Sequence, residues 1–208
     1  MFFFGGRIMT NQNDTTTNAN AENRKRAETR WRITAWSLAA FVLLLPLVAM
    51  QFSDQVNWSV WDFALAGTLL GGALLTFELV VRKTASRAYR AAAALALAGA
   101  FLLIWINGAV GIIGSEDEPA NQLYALVLAV GIIGAVLARF QPQGMARAMF
   151  AAASAQVLVG LLALVAGWGT AGARWPLDII GLTAFFAALF TAGGLLFQKA
   201  ASQQLSVR

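Results

Sequence analysis

The sequence predicts an all-α fold, a polytopic transmembrane helical bundle of six spans with both termini in the cytoplasm. Three observations point there. Of 208 residues, 59% are hydrophobic and only 12% charged, far more apolar than soluble domains, which are roughly half apolar and a quarter charged. Six apolar runs approach or exceed the roughly 18 to 20 residues that cross about 30 Å of hydrocarbon as helix. Basic residues also gather in alternate connections, as lysine and arginine do on the cytoplasmic side of a membrane.

The first thirty or so residues are polar, rich in Asn, Thr and Glu, and read as a disordered cytoplasmic tail over 1–30. Phe2 to Phe4 is too short for the apolar core of about 7 to 15 residues that a signal peptide needs. Met9 competes with Met1 as the start. The transmembrane domain is expected over 31–198, with spans near 33–50, 60–81, 91–114, 119–138, 148–167 and 177–197, and a cytoplasmic tail over 199–208. Pro46 kinks or ends the first span.

The tails and the connections after spans two and four carry Arg24, Lys25, Arg26, Arg30, Arg32, Arg82, Lys83, Arg87, Arg90, Arg139, Arg147, Lys199 and Arg208. The other connections carry Asp54, Glu116, Asp117, Glu118 and Asp178, with Arg174 as their only base. The net charge of +5 is thus a topology signal and not a nucleic-acid footprint. Tryptophans agree: Trp31 and Trp36 fall at the inner boundary, and Trp58, Trp61, Trp168 and Trp175 at the outer one. A weak internal repeat relates Arg82–Ala91 to Arg139–Ala148, each reading R, seven residues, RA; it reflects either duplication of a helical hairpin or two arginine-anchored loops.

Polar groups inside spans are costly in hydrocarbon and are the default functional candidates. Asp62 lies about 3 Å inside the outer end of span two, where an acid also suits the first turn of a helix. Glu78 precedes Arg82 by one helical turn, the spacing of an interfacial ion pair. Asn107 lies near the depth of Asp62, and a bond between the two either fastens helices or floors a small polar pocket that includes Gln156, near the midplane of span five.

Between spans three and four the chain reads GSEDEPAN. Gly114 is expected to end span three in a left-handed conformation, Pro119 to open span four, and Asp117 or Glu118 to cap it. The sharper reading makes Glu116, Asp117 and Glu118, with Asp54, an external acidic mouth that attracts cations. Three adjacent carboxylates lack the alternating spacing of a calcium loop, so no metal site is expected. Gly67 and Gly71 form a GxxxG on span two, a face for close helix contact or for a second copy.

The chain has no Cys and no His, which excludes disulfides, thiolate chemistry and imidazole metal or haem ligation. Lysines stand at the inner edge without a serine motif, and no phosphate-binding glycine loop is present. No enzyme activity and no cofactor are expected.

The residues from Asp62 to Gly160, through the strings DFALAGTLLGGALLTFELVVRK, INGAVGIIGSEDEPAN and GIIGAVLARFQPQGMARAMFA, resemble a group of small six-span bacterial inner-membrane proteins with a GIIGSED-PAN-type turn. The resemblance implies the bacterial cytoplasmic membrane and brings no activity or site residues. The expected function is a non-enzymatic accessory or scaffold bundle whose partners are the bilayer and either a second copy or another membrane protein; the alternative is a small transporter or channel for a cation or small polar solute.

Overall fold

The computed structural model describes residues 6–52, 57–170, 172 and 174–206, with the backbone alone described for 6–21 and 23–28. Asp54 and Arg208 lie outside the described residues. The described residues are helical without a strand, in the order α1 (Gly6–Ala49), α2 (Val60–Lys83), α3 (Arg87–Ala109), a 3-10 turn (Pro119–Leu123), α4 (Tyr124–Leu137), α5 (Pro142–Ala166) and α6 (Leu177–Leu205). Six stretches are long and apolar enough to cross a membrane: Thr29–Ala49, Val60–Lys83, Arg87–Ala109, Pro119–Leu137, Pro142–Ala166 and Leu177–Leu205. The all-α class with six membrane-length helices, as expected from the sequence, is the one found.

Boundaries differ from expectation where local chemistry outweighs hydropathy. The helix that carries the first span starts at Gly6, within the stretch expected to be an irregular tail to residue 30. From Ile8 to Leu45 the chain contains neither Gly nor Pro, so nothing breaks the helix upstream of the apolar run. Pro46 does not end α1, which continues to Ala49. Helix α5 begins at Pro142, six residues before the expected span, because proline at the first helical position fits its fixed φ and needs no N–H. Its other end is a glycine cap: Gly167 takes φ +67°, and Trp168 N–H donates to the Ala163 carbonyl at 2.9 Å, a bond that closes orphan carbonyls at a left-handed cap.

Helix α3 also starts earlier than expected, at Arg87, with Ser86 as its N-cap accepting from Tyr89 N–H at 3.3 Å. Arg90 therefore lies in the first turn of α3 and folds back onto the end of α2. Its Nε donates to the Thr84 carbonyl and its Nη2 to the Val81 carbonyl, both at 2.8 Å. A guanidinium on the last carbonyls satisfies orphan acceptors and opposes the negative end of the helix dipole. Arg90→Gln is expected to lower stability by about 1.5 to 3 kcal/mol, the range for a charge-assisted hydrogen bond; denaturant unfolding in mixed micelles measures it.

The chain divides into two compact units, Met1–Leu74 and Leu75–Arg208, the division falling within α2. In the second unit α5 packs between α4 and α6, and α6 also packs on α3. Small residues make these approaches. A Cβ on Gly99 of α3 would stand 2.6 Å from a ring carbon of Phe190, one on Gly134 of α4 2.7 Å from the Ala148 Cβ, and one on Gly194 of α6 2.8 Å from the Phe150 ring. The buried set is rich in alanine, including Ala92, Ala93, Ala146, Ala152 and Ala163, whereas Ile132, Leu137, Leu158 and Val165 are exposed. Small side chains inside and large aliphatic ones outside is the pattern of helices packed in lipid, where close backbone approach and not exclusion of water drives association.

Candidate functional site

The stretch between α3 and α4 holds the densest polar arrangement of the second unit. Helix α3 ends at Ala109, with Val110 as its C-cap at φ −139°. This corrects the expected end at Gly114: the chain turns at Gly111, φ +69°, and again at Gly114, φ +71°. Ile112 and Ile113 between them look like span but are turn residues, and both are buried.

Asn121 fastens this turn. Its side chain is 4% exposed. Its Oδ1 accepts from Ile112 N–H at 3.1 Å and Ile113 N–H at 2.9 Å. Its Nδ2 donates to the Ile113 carbonyl at 3.2 Å and the Ser115 carbonyl at 2.6 Å. An amide side chain has two lone pairs and two N–H donors, and Asn121 uses all of them on a buried backbone that has left its helix and lacks ladder partners. The Asn121 carbonyl in turn accepts from Asn107 Nδ2 at 3.0 Å. Sequence reasoning singled out Asn107 and missed Asn121. The only signal for Asn121 was an amide at the foot of a proline-opened helix.

A second turn seats on the first. A Cβ on Gly114 would lie 2.9 Å from Gly169 Cα, and one on Gly169 would lie 2.7 Å from Gly114 N. The connection after α3 thus meets the connection after α5 backbone to backbone. At the opposite end of the bundle Tyr89 Oη donates to the Phe140 carbonyl at 2.7 Å, tying the start of α3 to the turn between α4 and α5.

The sequence-derived candidates take the following places. Asp62 belongs to the first unit and is held by its own helix start: Ser59 N–H and Oγ donate to Asp62 Oδ2 at 2.7 and 2.8 Å, and Asp62 N–H donates to Ser59 Oγ at 3.3 Å. This is a reciprocal cap of the Ser-x-x-acid kind, formed wholly within the first unit. Asp62→Ala is expected to cost about 1 kcal/mol, the usual range for a lost cap, read as a lower unfolding midpoint in detergent.

Glu78 is buried and its Oε2 lies 3.7 Å from Arg82 Nη2, one turn away. Glu116 and Asp117 are exposed and Glu118 is half-buried. Glu118 occupies the N-cap position of the Pro119 turn without a side-chain hydrogen bond, which corrects the expected carboxylate cap; its carbonyl accepts from Asn121 N–H at 3.0 Å instead. Among the described residues no three His, Cys, Asp or Glu side chains converge as metal ligands do.

Gln156 is fully buried in α5, and neither its Nε2 nor its Oε1 has a hydrogen-bond partner among the described residues. Asn107 Oδ1 is also buried and unpaired. The Tyr124 and Thr183 hydroxyls lie near each other, short of hydrogen-bond geometry. Thr183 rests against Gly160, one turn along α5 from Gln156.

The fold and this site define an integral, multi-pass membrane protein with a hydrogen-bonded cap at one end of its second unit. Comparison with protein-family models, with curated proteins and with solved structures finds no match.

Proposed function

We propose that the protein is a non-enzymatic accessory or scaffold bundle of the bacterial cytoplasmic membrane, with both termini inside. The observation that carries this reading is how polar groups are used within each unit. Asn121 spends its whole side-chain capacity on backbone, Asn107 donates to the Asn121 carbonyl, and Asp62 is closed into a cap with Ser59. Groups committed to the protein's own backbone hold a shape and offer little to a passing solute. Orientation rests on the arginines and lysines of the connections after α2 and α4. The resemblance to small bacterial inner-membrane proteins supports the compartment, and open glycines such as Gly71 and Gly108, which have nothing within 4 Å of a built Cβ, leave room for a second copy or another membrane protein.

Reconstituted vesicles test the reading: potassium, sodium or a small amide solute should leak no faster with protein than without. The rival reading, a transporter or channel entered past Glu116, Asp117 and Glu118, draws on the unpaired amide of Gln156. It requires saturable flux that falls when those three acids are replaced by amides and disappears in Gln156→Ala.

A further inference from the structure

Helices α3 and α4 are joined by one turn, yet they scarcely touch along their length, because α3 packs on α6 and α4 on α5. An apolar groove of about 190 Å³ separates them, lined among others by Ala93, Ala96 and Ala100 of α3, by Gly131 and Ala135 of α4, and by Met149 of α5. Those alanines recur at helical spacing on one face of α3, and Gly131 and Ala135 do so on α4. Stripes this small normally let two helices close on each other; here they remain apart. The lining is almost wholly apolar, and the Tyr89 hydroxyl within it is spent on the Phe140 carbonyl. A space so apolar stays dry and takes hydrocarbon.

Charge marks one end of the groove. At the Tyr89 and Phe140 bridge the chain passes through Arg139 and Phe140, which hold φ +48° and +58°, a left-handed pair of non-glycine residues that costs energy and that sites of binding often retain. Arg139 is exposed and takes no partner among the described residues. Arg87 and Arg147 are likewise exposed at this end. An occupant suited to both parts has a hydrocarbon chain and an anionic head.

We infer that the groove between α3 and α4 is a binding site for an anionic phospholipid, one acyl chain lying along the alanine and glycine walls and the phosphate held by Arg139. Basic groups beside gaps between membrane helices attract anionic headgroups, each base contributing about 1 kcal/mol. The site is independent of whether the bundle acts as a scaffold or as a transporter.

The test uses the full chain in phosphatidylcholine vesicles containing a minority of phosphatidylglycerol, with a photoactivatable diazirine on an acyl chain of either lipid, and maps the adducts by mass spectrometry. Phosphatidylglycerol adducts should concentrate at Leu97 and Ile132 over Leu162, which is exposed on α5. Gly131→Leu should bring groove labelling down to the level at Leu162. Arg139→Gln, a surface change that leaves the packing alone, should lower the ratio of phosphatidylglycerol to phosphatidylcholine adducts about fivefold, the equivalent of one base. Groove labelling no higher than at Leu162, or an unchanged lipid ratio in Arg139→Gln, would overturn the proposal.

Discussion

Asn121→Ala is expected to be among the most destabilising single substitutions in the second unit. It strips the acceptor from Ile112 N–H and Ile113 N–H and the donors from the Ile113 and Ser115 carbonyls. Ile112 and Ile113 are 1% and 0% exposed, so water does not replace what is lost. Each buried backbone group left without a partner costs about 1 to 3 kcal/mol, and two orphaned N–H groups alone give a loss of roughly 2 to 6 kcal/mol. Asn121→Asp keeps the two acceptor bonds but removes both donors and sets a carboxylate against two carbonyl oxygens. It should therefore fall between wild type and Asn121→Ala at neutral pH. Denaturant titration of the three proteins in mixed micelles, followed by tryptophan fluorescence, measures the order.

The second large effect is expected at Gly111. Its φ of +69° places it where a side chain is disfavoured by about 1 to 2 kcal/mol. A Cβ there would also overlap the Ser115 carbonyl and stand 2.8 Å from Asn121 Nδ2. Backbone cannot move aside as a flexible side chain does, so Gly111→Val should strain the turn and loosen Asn121 together, for a total of about 3 kcal/mol or more. Because the two residues share partners, Gly111→Val and Asn121→Ala should be less than additive. A double-mutant cycle measures that coupling, and full additivity would mean the turn is not one unit.

Six membrane-length helices were legible in the sequence because apolar length is a local property. The end of α3 was not. Ile112 and Ile113 extend the apolar run beyond Ala109, and hydropathy does not distinguish a residue buried in lipid as helix from one buried in protein as turn. Only tertiary contact separates the two. Asn121 was illegible for a related reason: its partners are backbone groups of Ile112, Ile113 and Ser115, and backbone leaves no mark in a sequence. In the sequence Arg90 carries a topology signal alone, although its position just inside α3 also brings it to the carbonyl end of α2. Asp62 and Glu78 were more transparent, since Ser59 and Arg82 lie within one helical turn of them. The groove between α3 and α4 had no sequence signature, because alanine and glycine stripes usually mark contact and here mark its absence.

A scaffold bundle should be dry around Gln156. The chain has no native cysteine, so single cysteines report water access without a background. Gln156→Cys and Glu116→Cys should be made in the full chain and exposed, in intact vesicles, to a membrane-impermeant maleimide from both sides. Position 116 should label rapidly, and position 156 should stay unlabelled until the protein is unfolded. Rapid labelling at position 156 in the folded protein, from either side, would contradict the account and place Gln156 on a water-filled path.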